Sequence, residues 1–432
     1  MAQSDIYGPA DRPPLGKWIP LSIQHVFAMF GATILVPLLT GLNPAAALFT
    51  AGTGTLIYIA ITGAKVPAFL GSSFAFIVPI TAIAGGVGGP NMAYALGGAV
   101  ASGCFYIIVG LIIRLAGTKW LDKALPPVVI GSVIVVIGLN LAPTAMAMAM
   151  NVGGGLDGKY SLVLFSIAAV TLGVTVASNV LLKGFFSVIP ILIGLVSGYV
   201  FTLVMGLFFP AYHLIDFKIV TDAPWFGLPA FILPKFSLIP MLTFVIVSLA
   251  TICEHLGDTL VTSKVVGQDF YKKPGLHRTL AGDGLATAWA AFWGGPPNTT
   301  YGENIGVMAI TRVYSVWVIG GAAVVATALS LFQKFGALIR TIPTPVMGGI
   351  SMLLFGIIAS SGLRTIVESG VDYKDKRNLT ISSVIFVIGI GGGKLIFNIT
   401  KDVQFQLAGV ALATVVGIIL NLVFPSEKNQ AK

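Results

Sequence analysis

The chain has 432 residues, of which 25 are Lys or Arg and 16 are Asp or Glu. Charged residues make up 9% and apolar residues 56%, and the mean hydropathy is +0.94. Soluble domains carry about 25% charge, so these figures exclude a disordered chain, a coiled coil and a disulfide scaffold, and argue strongly against a water-covered globule.

Composition therefore points to one polytopic membrane domain. The net charge of +9 does not indicate nucleic acid, because the basic residues form no stripe with interleaved aromatics. Cys104 and Cys253 both lie inside apolar runs, which leaves no disulfide framework and no zinc set. No metal and no cofactor is expected.

A helix needs about 20 mostly apolar residues to cross the hydrocarbon core. Residues 1–18 read as a polar N-terminal tail without the apolar core of a cleavable signal. Seven spans are then predicted at 19–40, 45–62, 66–86, 92–115, 126–149, 160–180 and 185–209. A connecting loop over 210–236 holds Asp216, Lys218, Asp222, Pro224, Pro229 and Pro234. Seven further spans are predicted at 237–262, 276–294, 296–313, 314–332, 342–361, 378–393 and 404–424, before a tail at 425–432.

The distribution of Lys and Arg orients the spans. With the N-terminus in the cytoplasm, Lys159, Lys218, Lys235, Lys334, Arg340, Lys394 and Lys401 face outward. The other 18 of the 25, including Lys428 and Lys432, face inward. Both termini are thus expected inside, with the 210–236 loop outside.

The chain also resembles itself. Leu-Pro-Pro-Val-Val-Ile-Gly-Ser at 125–132 echoes Ile-Pro-Thr-Pro-Val-Met-Gly-Gly at 342–349. Gln24 and His25 match Glu254 and His255, and Gly71 to Phe76 match Asn298 to Glu303. Each pair joins span n to span n+7. Seven is odd, so the second copy enters the membrane from the opposite side, as in many secondary transporters. The expected fold is an all-α polytopic membrane protein of fourteen transmembrane segments in two inverted seven-span repeats, 19–209 and 237–424.

Spans 3 and 10 are expected to be broken. Span 3 carries Pro67, Gly71, Ser72, Ser73 and Pro79, and span 10 opens on Gly294-Gly295-Pro296-Pro297-Asn298-Thr299-Thr300. Prolines and β-branched threonines oppose helix, and extended backbone at membrane depth must be buried in protein or line a cavity. Extended backbone over 296–303 followed by a half-helix brings Glu303 to mid-membrane.

Four acids fall inside spans: Glu254, Asp258, Asp283 and Glu303. An ionisable group there is by default a functional hypothesis. Glu254 and Asp258 are four residues apart and share a helical face. A carboxylate in a low-dielectric cavity takes up a proton more readily than one in water, so Glu254, Asp258 and Glu303 are candidates for proton coupling, the alternative being structural acids. Asp283, among small residues, suits helix packing or a bond to a neighbouring span. Cys253-Glu254-His255 lacks metal-ligand spacing. His255 points about 100° away from Glu254, toward either a structural hydrogen bond or proton transfer. Gln24 and His25 could support the cavity or bond across helices. His213 lies in the outer loop with no assigned role. Phe74 and Tyr301 occupy equivalent repeat positions and suit a flat ligand or ordinary packing. Ser72, Ser73, Thr299 and Thr300 satisfy broken backbone on the simplest reading. Gly302 lets backbone approach closely and expose an N–H.

At these residues the chain resembles a known family. Pro-Asn-Thr-Thr-Tyr-Gly-Glu-Asn-Ile-Gly-Val-Met-Ala-Ile-Thr-Arg at 297–312 looks like the signature of the nucleobase–ascorbate transporter family. Ser-Ile-Gln-His-Val-Phe-Ala-Met-Phe-Gly-Ala-Thr at 22–33 and Gly-Ser-Ser-Phe-Ala-Phe at 71–76 are similar to its bacterial uracil-transporting branch. The resemblance covers about residues 12–424. It implies a core domain of spans 1–4 and 8–11 and a gate domain of spans 5–7 and 12–14. It further implies uracil import by proton symport at the cell membrane, with a homodimer expected. Base-binding roles carry over to Glu254 and Glu303, to the amides of Phe74 and Gly302, and to Tyr301. Two positions depart from the pattern. Asp258 stands where such a protein can carry His, and Phe355 where a gate-domain Tyr is expected.

Uracil has two ring N–H donors for carboxylates and two carbonyls for amides, and such a site rejects analogues lacking those groups. A purine or xanthine permease, coupled to protons or sodium, is the nearest alternative. An anion transporter of the same architecture would want a cationic or dipolar lining rather than Glu254 and Glu303. No paired nucleophile and base, and no HExxH motif, points to an enzyme. A passive channel would not carry flux against a gradient.

Overall fold

The computed structural model describes residues 6–209, 214–398 and 404–424. His213, Lys401, Lys428, Lys432 and the tail at 425–432 lie outside them. The first half holds α1 (Leu15–Thr40), α2 (Pro44–Ile61), β1 (Leu70–Ser72), α3 (Ile77–Ala84), α4 (Met92–Ala116), α5 (Lys119–Ala124), α6 (Pro127–Leu139), α7 (Ala142–Met150), α8 (Leu162–Leu181) and α9 (Pro190–Phe208). A short α10 (Lys218–Asp222) follows. The second half holds α11 (Leu238–Val266), α12 (Leu276–Phe292), β2 (Asn298–Thr300), α13 (Gly302–Thr311), α14 (Val316–Ser330), α15 (Gln333–Arg340), α16 (Thr344–Glu368), α17 (Lys376–Ile390), β3 (Lys394–Asn398), β4 (Gln404–Ala408) and α18 (Gly409–Val423).

Eight helical stretches among the described residues are long and apolar enough to cross a membrane: α1, α2, α4, α6 with α7, α8, α9, α11 and α16. Residues Phe74–Ala84, α14 and α18 are shorter apolar helices. Local chemistry sets several boundaries. Pro44 sits in the first turn of α2, where its missing N–H costs nothing, and the Asn43 side chain accepts from the Ala45 N–H at 2.9 Å. Asp375 caps α17 by accepting from the Arg377 N–H at 2.7 Å. Gly41, at φ 81°, ends α1 in the left-handed conformation.

The structure departs from expectation in four places. Helix α1 begins at Leu15, inside the expected tail, and α16 runs on to Glu368 rather than ending at 361. Extended backbone in the second segment ends at Tyr301 rather than reaching 303, and Glu303 sits in the first turn of α13. An acid is stabilised there by the helix dipole. Lys394–Asn398 and Gln404–Ala408 pair as antiparallel strands, β3 with β4, where the apolar run from 404 suggested helix. Phe405 and Leu407 alternate with Gln404 and Gln406, a strand period that the longer run hid. The fold is thus mostly helical but not purely so.

Helix pairings recur between the two halves. Helix α4 packs on α11 and α12, as α14 packs on α1 and α2. Helix α8 lies against α9 as α17 lies against α18. Helix α16 packs on α8 and α9 as α6 packs on α17 and α18. At the centre β1 pairs antiparallel with β2, with Gly71 opposite Thr299. All six strand residues are buried, so their backbone groups need partners. Thr55 on α2 accepts from the Leu70 N–H at 2.9 Å and donates to its carbonyl at 3.1 Å. Thr287 on α12 donates to the Asn298 carbonyl at 2.8 Å, and the Asn298 amide donates to the Thr50 carbonyl at 3.1 Å. The two strands are tied from both flanks.

Candidate functional site

Strand β2, backed by β1, borders a cavity of about 410 Å³. Helix α11 presents Glu254 and Asp258 to it, β2 presents Thr299 and Thr300, and the start of α13 presents Gly302 and Glu303. Phe74 lines it from the other broken segment, and Phe27 and Ala28 from α1. Ile191 at the start of α9 and Ser360, Ser361 and Arg364 on α16 also line it.

Both α11 acids are 8% exposed and both are held by β2. The Thr299 hydroxyl donates to Glu254 Oε2 at 3.3 Å, and the Thr300 hydroxyl donates to Asp258 Oδ2 at 2.8 Å. Glu303 is half-buried in the first turn of α13. Tyr301 precedes that helix without capping it through its side chain, and an uncapped helix start is a natural place for an acceptor. A Cβ placed on Gly302 would meet nothing within 4 Å, so the backbone there faces open space. The site thus combines carboxylate acceptors with backbone donors, complementary to a neutral ligand carrying both N–H and C=O groups.

The sequence-predicted residues divide into two groups. Phe74, Glu254, Asp258, Tyr301, Gly302 and Glu303 all border the cavity. Tyr301 is tied down as it does so: it accepts from Thr33 at 3.2 Å and donates to the Ser72 carbonyl at 3.2 Å. Gln24, His25, Ser72 and Phe355 are buried behind the lining. The Asn304 side chain donates to the His25 carbonyl at 3.2 Å and lies 3.0 Å from its Nδ1, joining α13 to α1. The Ser72 hydroxyl donates to the Thr33 carbonyl at 3.2 Å. Phe355 meets Phe74 edge to face at 5.6 Å and supports it from α16. Asp283 makes the cross-span bond, 2.8 Å from His255 Nδ1. Among the described residues, no group of three or more His, Cys, Asp or Glu side chains is placed to hold a metal.

Sequence reasoning missed Arg364, Ser360 and Ser361, and the hydroxyl ties from β2. The i,i+4 pairing of Arg364 with Glu368, at 2.6 Å, was a readable signal that α16 continues past 361.

Apolar helices of membrane length around a largely apolar cavity that carries three acidic side chains fit a multi-pass membrane protein of the transporter class. The chain belongs to the family described as "Permease family", which it matches over residues 16–397. It is 54% identical to the uracil permease of Bacillus caldolyticus over 98% of this chain and 95% of that one. It is 51% identical to the uracil permease of Bacillus subtilis over 98% and 96% of the two chains. These relatives are named as transporters, not enzymes. In fold it is similar to the transmembrane domain of a cyanobacterium bicarbonate transporter, BicA, with a TM-score of 0.65 at 16% identity, covering 97% of this chain and all of that one.

Proposed function

We propose that the chain imports uracil by proton symport with alternating access. The observation that carries this reading is the convergence of Glu254, Asp258 and Glu303 with the open backbone of Gly302 on one cavity. Glu254 and Glu303 accept the two ring N–H groups, and the amides of Phe74 and Gly302 donate to the two carbonyls. At least one acid among Glu254, Asp258 and Glu303 carries a proton in the loaded state. Uracil permease relatives at 54% and 51% identity support the choice of base.

The proposed architecture is fourteen spans in two inverted repeats, 19–209 and 237–424. The recurring helix pairings support it. Spans 1–4 and 8–11 form a core that carries the carboxylates, and spans 5–7 and 12–14 form a gate that carries Phe355 and Arg364. The protein sits in the cell membrane as a homodimer, with both termini cytoplasmic and the 210–236 loop outside. The deciding experiment is radiolabelled uracil uptake into proteoliposomes under imposed pH or sodium gradients, with xanthine as competitor. Accumulation driven by an inward proton gradient and resistant to xanthine is expected. Uptake indifferent to that gradient would sink symport, and xanthine competition equal to unlabelled uracil would sink the base assignment.

A further inference from the structure

Thr299 and Thr300 read in sequence as residues that satisfy broken backbone. In the structure their hydroxyls face carboxylates instead, and the shorter of the two bonds is the one to Asp258. Direction of control follows from the anchoring. β2 is fixed to β1 through Leu70 opposite Thr300, and Thr55, Thr287 and the Asn298 amide hold the pair to α2 and α12. Asp258 is a flexible side chain on α11. The strand therefore positions the acid, and not the reverse.

We infer that Thr300 is a positioning residue for proton binding at Asp258. This rests on the reading of the chain as a proton-coupled uracil carrier. A hydroxyl can donate to an ionised carboxylate and accept from a protonated one. The Thr300 bond therefore persists on both sides of the proton transfer, with the hydroxyl rotating between them. Because Thr300 immediately precedes Tyr301, Gly302 and Glu303, a change at Asp258 is felt at the backbone that borders the ligand. The other ionisable groups around Asp258 are Glu254 on its own helix, Glu303 on α13, Asp283 with its partner His255, Tyr58 on α2, and Arg364 in the cavity lining on α16. Asp258 is the one that β2 grips through Thr300.

The test uses full-length protein in proteoliposomes, with uracil uptake and equilibrium uracil binding measured from pH 5 to pH 9. Thr300→Val removes the donor at nearly constant volume. An ionised carboxylate loses more than a neutral acid when a donor is removed, so the uptake profile should move to higher pH by about one unit. Thr300→Ser should restore the wild-type profile. In an Asp258→Asn background, Thr300→Val should produce no further shift. If Thr300→Val is not recovered folded, Thr300→Ala serves the same comparison. A Thr300→Val profile superimposable on wild type, or an equal shift in the Asp258→Asn background, would overturn the inference. Failure of the wild-type protein to couple uracil to protons would instead overturn the functional reading, so the two failures are told apart.

Discussion

The ring of Tyr301 lies on the bare backbone of Gly71, the residue that β1 places opposite Thr299. A Cβ at position 71 would come within 2.6 Å of Tyr301 Cζ and 2.7 Å of its hydroxyl oxygen. The phenol is held at both ends of its bonding capacity, accepting from Thr33 and donating to the Ser72 carbonyl. The ring is thus a wedge that joins α1, β1 and β2 beside the cavity. Gly71→Ala should displace it and shift the start of α13. Overpacking of this kind costs about 1–3 kcal/mol, enough to weaken uracil binding roughly tenfold. Isothermal titration of the purified variant measures this, and unchanged affinity would show that the wedge does not set the site.

Glu254 and Glu303 approach the cavity from different elements, α11 and α13, so each can be removed without dismantling the other. Glu254→Gln and Glu303→Gln keep shape but lose the charged acceptor. A hydrogen bond to a charged group is worth about 1.5–3 kcal/mol, so each variant should bind uracil about 10- to 100-fold more weakly. Thr299→Val, which removes the donor to Glu254 at 3.3 Å, should have a smaller effect in the same direction. Equilibrium binding with labelled uracil is the measurement, and wild-type affinity in Glu303→Gln would remove that residue from the site.

Much of this site was legible because acids are rare in the spans. Glu254 and Asp258, four residues apart, announce a shared face, and Pro296 and Pro297 announce a break before Glu303. What could not be read was the geometry set by distant parts of the chain. That Tyr301 folds onto Gly71 depends on a vacancy in another strand, 230 residues earlier. Thr300 reaches Asp258 only because Thr55 and Thr287 fix the height of the strand pair. Arg364 entered the lining because α16 carries on for two turns beyond its apolar stretch. The pairing of β3 with β4 was hidden because the alternating strand β4 abuts the apolar helix α18, and the combined run reads as one span.

Small residues set how closely α4 and α12 approach one another. A Cβ on Gly103 of α4 would meet the Ala288 nitrogen at 2.5 Å, and one on Gly284 of α12 would meet Tyr106 Cβ at 2.5 Å. Without a hydrophobic drive between helices in lipid, such close contact is a main source of association. Gly103→Val should therefore cost about 1–3 kcal/mol and lower the unfolding temperature in detergent. Gly173 on α8 is the contrast, since a Cβ there meets nothing within 4 Å. Gly173→Ala should be neutral or stabilising by up to about 1 kcal/mol. Equal losses at the two positions would show that close helix approach at Gly103 is not what stabilises the bundle.

His255 and Asp283 form a fully buried pair between α11 and α12, 2.8 Å apart. His255 Nε2 lies 3.1 Å from the Thr279 hydroxyl, so the ring has partners at both nitrogens. Asp283 is less completely served, since its Oδ1 has no hydrogen-bond partner among the described residues. Removing one member leaves the other buried and unpaired. For a buried pair that loss is about 3–5 kcal/mol, whereas replacing both members together costs much less. His255→Leu should therefore destabilise the protein strongly, and the double variant His255→Leu/Asp283→Leu should recover a large part of that loss. A double-mutant cycle on thermal unfolding in detergent separates the two cases. Additive losses would mean that the pair is not energetically coupled, and that its short distance reflects packing of α11 against α12 alone.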